Sequence, residues 1–189
     1  MELVLRNCTV RSFVPQDAES HTEHINSRNI ARNMCRIPYP FVLQDSRDWI
    51  AIATSHEPET NFAITIDGKS VGGIGLSLSS TEGCGVTGHA AEIGYWLGEK
   101  FWGRGIMTEV LEAVTDWGFS TFGLVRIHAS VFAHNPASAR VLEKAGYLFE
   151  GIQRAAFLKD SEFIDGLLYA KVKLPKTIPR QSCQKSSNH

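Results

Sequence analysis

The sequence predicts a mixed α/β or α+β domain, and three observations carry that prediction. Segments with apolar residues at helical spacing come early, and a strand meander built around Asp67-Gly68 follows them. The second half then alternates strand, helix, strand, helix, strand, strand. Taken in order, Cys8 to Phe13 has the character of a short strand ending at Pro15. Asp17 is placed to cap a helix running to about Ile25. A second short helix is expected from Asn29 to Met34, cut off before Pro38-Tyr39-Pro40. Asp45 or Ser46 is expected to cap a third, with Trp49, Ile50, Ile52 and Ala53 as its apolar stripe.

Asn61 to Ile66 is β-branched and aromatic, and Asp67-Gly68 supplies the positive φ angles of a tight hairpin. The return strand, Lys69 to Leu78, contains Gly72, Gly73 and Gly75, which weaken it or permit close contact. A Gly-rich loop, Thr81 to Gly88, leads into a strand from His89 to Leu97. After Gly105, Ile106, Val110, Ala113, Val114 and Trp117 recur at helix spacing. Leu124 to Val131 alternates cleanly, with Val125, Ile127, Ala129 and Val131 on one side. Asn135-Pro136 then opens a helix that stops at Gly146, since Asn favours the cap, Pro the first turn and Gly the end. Strands near Tyr147 to Gln153 and Ile164 to Val172 close a single domain over residues 1–174. Residues 175–189 are Lys, Gln and Ser rich and are expected to form a disordered tail.

Composition narrows the function. The 189 residues carry 19 Lys plus Arg against 20 Asp plus Glu, a formal charge of -1. That balance argues against nonspecific nucleic-acid binding, which draws on a basic excess. With 43% hydrophobic residues the chain has material for a packed core and no disordered composition. No segment approaches the roughly 18 apolar residues of a membrane span, and Arg6 and Asn7 break any signal-peptide pattern. A soluble, cytoplasmic protein with no nucleic-acid or membrane partner is the expectation. Cys8, Cys35, Cys84 and Cys183 are scattered without a Cys-x-x-Cys pair, as reduced structural thiols are. His21 and His24 could share a helix face and hold a metal, but no third ligand is near in sequence. A solvated helix face with no metal is the expected reading.

The informative stretch runs from Glu92 through Ile-Gly-Tyr-Trp-Leu-Gly-Glu-Lys-Phe-Trp-Gly-Arg-Gly-Ile-Met to Thr108. A strand delivers the chain to a Gly-containing turn and a helix begins at once. Free N–H groups and the positive end of the helix dipole make such a start an anion site. Gly103 and Gly105 let the backbone curl around a phosphate, and Arg104 adds a cation at the mouth. Gly-x-Gly alone is more often a simple turn. No Gly-Lys-Ser/Thr triplet makes it a P-loop, and no third Gly near Thr108 makes it a dinucleotide fingerprint.

Two blocks, AEIGYWLGEKFWGRGIMTEVL and FAHNPASARVLEKAGY, and the strand order around them resemble the GNAT superfamily of acetyl-CoA-dependent N-acetyltransferases. The likeness is nearest to the ribosomal-protein alanine N-acetyltransferase branch and spans Glu2 to Leu174. It implies a central, mostly antiparallel sheet of about seven strands, splayed at the acetyl-CoA site and flanked by about four to five helices. The family's pyrophosphate loop, Gln/Arg-x-x-Gly-x-Gly/Ala, falls on Trp102 to Met107; Gly105 matches, while Trp102 and Met107 do not. The resemblance implies that backbone N–H groups of Gly103, Arg104, Gly105, Ile106, Met107 and Thr108 hold the CoA pyrophosphate. Tyr95, Trp96 and Leu97 would pair with the pantetheine arm as a strand does.

Asn135 matches the family Asn that bonds the cofactor arm, and an N-cap role is compatible with that. Seven residues on, where many members carry a Tyr that protonates the leaving thiolate, stands Leu142. Ser138 is the nearest hydroxyl and resembles the branch's alternative acid; otherwise it bonds the Asn135 backbone in the first helical turn. Some relatives take their base from the second central strand, where this chain has Ser130. Glu92 is the candidate base instead, with an exposed or salt-bridged structural role as the alternative, and His89 and His134 behind it. The acceptor side is expected from Met34 through Phe41 and from Phe157 and Asp165. No nucleophilic Cys lies near the motif, so direct attack on acetyl-CoA by an amine, protein N-terminal or small, is the expected chemistry. The missing Tyr and Glu leave a non-catalytic acyl-CoA sensor as the rival, and a generic nucleotide binder as a weaker one. The oligomeric state stays open, a homodimer included.

Overall fold

A computed structural model describes residues 1–78 and 89–174. The expected loop at 81–88 and the tail from 175, with Cys84 and Cys183, lie outside the described residues. Strands β1 (Glu2–Val4), β2 (Thr9–Ser12), β3 (Asn61–Ile66), β4 (Lys69–Leu78), β5 (Ala90–Leu97), β6 (Arg126–Phe132), β7 (Leu148–Lys159) and β8 (Glu162–Val172) make one sheet. Its order is β1-β2-β3-β4-β5-β6-β8-β7. Every neighbouring pair is antiparallel except β5 with β6. Helices α1 (Ala18–Ile25), α2 (Arg28–Ala31), α3 (Leu43–Ser55), α4 (Ile106–Phe122) and α5 (Pro136–Lys144) accompany it. The sheet thus has eight described strands where about seven were expected. The extra one, β1, is three residues long and pairs Leu3 with Val10, too short for periodicity to announce it.

Two faces of the sheet are covered differently. On one, α4 buries Ile106, Val110, Leu111 and Val114 against Ile93, Ile127 and Ala129, with Leu142 of α5 alongside. Ala113 and Trp117, expected in that stripe, are only half-buried. Trp117 packs edge-on between Phe62 and Phe122 at 5.2 and 5.1 Å. On the other face two smaller clusters form, Phe13, Ala18, Ile50, Ala53 and Ala63, and Ile25, Ile30 and Phe41.

Several local expectations shift. Asp17 stands before α1 but makes no side-chain cap there. Its carboxylate instead takes two bonds from Arg11 at 2.7 and 2.8 Å and one from the Val14 N–H at 2.9 Å. Ser27 caps α2, which ends at Ala31 rather than Met34. Asp45 lies inside α3 and accepts from the Val42 N–H at 2.8 Å, so the helix starts earlier than its expected cap. Ile50 and Ala53 are buried there, whereas Trp49 and Ile52 are exposed. The late hairpin is longer than expected, turning at Asp160-Ser161, both with positive φ.

Candidate active site

β5 and β6 share only three register pairs, Ala90 with Arg126, Ala91 with Ile127 and Glu92 with His128, and then part. Each keeps its other neighbour to its end, β4 beside β5 as far as Leu97 and β8 beside β6 as far as Phe132. From Ile93 to Leu97, therefore, one edge of β5 has no strand partner. A parting of this kind exposes main-chain donors and acceptors to which an extended ligand can add as a strand. Period two sorts the side chains of β5: Ile93 and Leu97 enter the core under α4, and Glu92 is exposed on the opposite face.

Beyond Leu97 the chain makes a short 3-10 turn, Glu99–Phe101, and then passes Gly103 and Gly105 with φ of 72° and 79°. Those angles favour glycine at both positions. Gly105 occupies the cap of α4 with no side chain to satisfy its amides. Among the described residues the N–H groups of Ile106, Met107 and Thr108 find no acceptor; the first helical bond is Glu109 N–H to Gly105 at 3.2 Å. The Ile106 and Met107 side chains are buried, so only backbone faces outward there. Trp102 donates its indole N–H to the Leu97 carbonyl at 2.6 Å, fixing the loop to the strand it leaves. The Arg104 guanidinium lies 5.6 Å from the Phe101 ring centre.

At the start of α5, Asn135 Oδ1 accepts the Ser138 N–H at 3.2 Å, the expected cap. Ser138 Oγ does not bond the Asn135 backbone. It lies 2.9 Å from the Tyr95 hydroxyl, which also reaches the Ser138 carbonyl at 3.3 Å. Burial pushes the Tyr95 phenol up to about 12, with the Ser138 bond pulling the other way. Leu142 is fully buried in the main core. Tyr95 was expected to act through its backbone. The signal for its side chain was the alternation itself, which turns residues 93, 95 and 97 towards the helices.

Of the residues expected on the acceptor side, part of the 34–41 segment meets the late hairpin, at a cavity that neither Phe157 nor Asp165 lines. Cys35, Arg36, Ile37 and Pro38 face Leu158, Lys159 and Asp160 across a cavity of about 330 Å³. Lys159 Nζ donates to the Ile37 carbonyl at 2.9 Å. The Cys35 thiol is raised, chiefly by burial; Arg36 and Lys159 pull it down and Glu92 pushes it up, which puts Glu92 within electrostatic reach of this cavity. Phe157 packs at a tilt against Phe132, ring centres 4.7 Å apart. Asp165, by contrast, serves the hairpin backbone, accepting the Ala155 N–H at 2.7 Å. His134 Nε2 is 3.3 Å from the Arg32 carbonyl, and His89 stands where β5 and β6 are still joined, its carbonyl bonded by Val125 and Arg126. His128, beside Glu92 in register, was not anticipated; its Nδ1 is buried with no partner among the described residues.

His21 overturns the expectation of a solvated face. It is fully buried, packed by Phe13, Phe41 and Trp96, with Nδ1 2.8 Å from Ser46 Oγ. Trp96 lies above Gly73, where a Cβ would meet the indole nitrogen at 2.7 Å. His24 is instead half-buried against Phe101. Among the described residues no three His, Cys, Asp or Glu side chains are grouped to hold a metal. No described helix is long and apolar enough to cross a membrane.

The family profile described as "Acetyltransferase (GNAT) domain" matches residues 7–148, about three quarters of the chain. The chain belongs to the GNAT acetyltransferase family. That places it among the acetyl-CoA-dependent acyltransferases. The uncharacterized N-acetyltransferase p20 of Bacillus licheniformis is 27% identical over 176 residues, covering 90% of this chain and 96% of p20. The [Ribosomal protein uS5]-alanine N-acetyltransferase of Escherichia coli is 34% identical over 82 residues, 43% of this chain and 42% of that enzyme. Other curated relatives likewise align over less than half of their own length. Among solved structures, a GNAT-family acetyltransferase from Bacillus anthracis superposes with a TM-score of 0.78 at 24% identity, covering 91% of this chain and 98% of its own. This GNAT chain therefore has the mixed α/β fold of the family.

Proposed function

We propose that this GNAT chain transfers an acetyl group from acetyl-CoA to a primary amine by direct attack in a ternary complex. One observation supports the reading above the rest: the parted strands open onto an uncapped helix start at one end and Glu92 at the other. The unbonded amides of Ile106, Met107 and Thr108, with Arg104 beside them, suit a pyrophosphate. The free edge at Tyr95, Trp96 and Leu97 suits the amides of a pantetheine arm, although the Leu97 carbonyl already accepts from Trp102. Asn135 keeps its side-chain nitrogen for the arm while Oδ1 caps α5. Acetyl-CoA supplies the activated acyl group when bound.

The chain's own residues manage the protons. Glu92 accepts the proton of the attacking amine, directly or through one water, because an ammonium cannot attack a carbonyl. Backbone N–H groups on the free edge of β5 polarise the thioester oxygen. Ser138 donates to the departing sulfur. The acceptor enters through the cavity between residues 35–38 and 158–160. Either a protein N-terminus or a small amine fits that description; the uS5 relative is named for an alanine of a ribosomal protein. The reading takes residues 1–174 as one cytoplasmic catalytic domain, needs no metal, and draws every group from one chain.

Thiol release from acetyl-CoA with a panel of peptides and small amines tests it, with mass spectrometry of the acetylated product. Glu92→Gln is expected to lower kcat by about 100-fold, in the range of general-base losses. Tight acetyl-CoA binding with no thiol release from any amine would instead identify a sensor. An unchanged rate in Glu92→Gln would remove Glu92 from the mechanism and leave the transferase.

A further inference from the structure

The Tyr95 and Ser138 hydroxyls meet across the gap between the parted strands, one from β5 and one from the first turn of α5. Neither is needed elsewhere. The helix cap is already made by Asn135 Oδ1 with the Ser138 N–H, so the Ser138 hydroxyl is spare for the cap. Leu142, fully buried in the core, offers no hydroxyl to the site. A serine alone is a poor acid towards a thiolate, because its alkoxide is far more basic than the sulfur it would protonate. A phenol donating into the serine oxygen changes this. It holds the serine proton away from Tyr95 and towards the gap, and it stabilises the negative charge that grows on Oγ as that proton leaves.

We propose that Tyr95 is the positioning residue behind Ser138, the two forming a hydroxyl relay that protonates the CoA thiolate. This rests on the acetyl-transfer reading above. When the tetrahedral adduct of amine and thioester collapses, the C–S bond breaks and sulfur keeps the electron pair. The Ser138 Oγ–H proton passes to sulfur, forming the S–H bond of free CoA. The Tyr95 O–H proton moves to Ser138 Oγ, and the phenolate is restored from water once CoA leaves. The proton taken from the amine by Glu92 goes to water, so one proton is lost and one regained per turnover. The Tyr95 phenol enters each turnover protonated; burial disfavours its phenolate and the Ser138 bond offsets part of that, so water must discharge the phenolate before the next turnover.

The test compares the wild type, Tyr95→Phe, Ser138→Ala and the double variant on two acetyl thioesters. One is acetyl-CoA; the other is the acetyl thioester of thionitrobenzoate, whose thiolate leaves without needing a proton. With acetyl-CoA, Tyr95→Phe should lower kcat roughly 10- to 100-fold and leave KM for acetyl-CoA within about threefold. The double variant should be no slower than Ser138→Ala, since the two act as one unit. With the aryl thioester the Tyr95→Phe rate should return to within about twofold of wild type. An equal loss on both thioesters, a multiplicative double variant, or an unchanged rate with acetyl-CoA overturns the relay. Tyr147→Phe, which removes another buried phenol bonded to a hydroxyl, Thr115 at 2.6 Å, controls for lost packing; a matching thioester-selective loss there also overturns it. If Tyr95→Phe does not fold, 3-fluorotyrosine at position 95 replaces it. Its more acidic phenol should move the alkaline limb of kcat to lower pH, and an unmoved limb counts against the relay. Absence of thiol release from wild type with every amine sinks the transferase reading itself, whereas turnover indifferent to Tyr95 sinks only the relay.

Discussion

Leu142 and His21 show how much a single side chain's surroundings decide. Leu142, on the buried face of α5, is wholly inside the main core at the position where many GNAT members present a tyrosine. Leu142→Ala should cost about 2–5 kcal/mol by urea unfolding, the range for deleting a buried leucine. Leu142→Tyr should not create a working acid, because the site has no room; it should cost about 1–3 kcal/mol through overpacking and leave kcat no higher. His21 is polar in an aromatic setting, and burial pushes its imidazole down to about 4, with Asp17 pulling weakly upward. Its ordinary value is 6.5, so between those two values the unfolded chain binds a proton that the native chain refuses. Stability is therefore full above pH 6.5 and falls as pH drops towards 4, by about 3 kcal/mol over the window. Urea midpoints measured across that range check it against His21→Gln, which can still bond Ser46 but does not titrate. A pH slope that survives in His21→Gln would assign the effect to another group.

At the scale of elements, what was legible depended on how local the signal was. The β3–β4 turn was plain because Asp67 and Gly68 take φ of 50° and 76° within two residues. The start of α5 was plain because Asn135 and Pro136 stand side by side, and its end because Gly146 takes φ of 82°. Asp17 misled because its best partner, Arg11, comes from the neighbouring strand β2 and outbids a local cap. The late hairpin was hidden because Ala155 at φ 50° and Gly151 break its alternation, and because its turn lacks glycine. The candidate site divides the same way. The glycine loop and cap were visible as backbone chemistry, while the Tyr95–Ser138 contact exists only once two strands have parted. α4 supplies the element-scale prediction. Gly105→Ala forces a Cβ into left-handed backbone at φ 79°, costing about 1–2 kcal/mol of stability. Relaxation of that strain would turn the first-turn amides away from a common focus. Calorimetry should show acetyl-CoA binding weakened by about tenfold, equivalent to roughly 1.4 kcal/mol. Wild-type affinity with a lowered Tm would mean that the loop does not hold the ligand.

Across the whole molecule, the sheet is two blocks, β1–β5 and β6–β8, joined by three register pairs, by α4 against α5, and by Tyr95 against Ser138. A ligand seated between β5 and β6 would add the missing rungs, so its binding energy would go directly into holding the blocks together. The formal charge of -1 bears on how such a ligand is held. A protein with no basic excess offers a polyanion little bulk attraction, so the proposed hold rests on oriented amides, with Arg104 the one cation in the loop's Gly-x-Gly stretch. Two consequences can be measured together by hydrogen exchange. Acetyl-CoA at 100 times its Kd should raise unfolding stability by about 2.7 kcal/mol. It should also slow exchange both along Gly94–Leu97 and at Ile106–Thr108. S-acetylpantetheine, which lacks the pyrophosphate, should protect the strand amides and leave those of the helix start exchanging as in the free protein. Protection of the helix start by S-acetylpantetheine, or of neither segment by acetyl-CoA, would mean that the two ends of the gap are not parts of one binding site. Raised salt should weaken acetyl-CoA only modestly, because neutral amides release no counterions and one exposed Arg releases few.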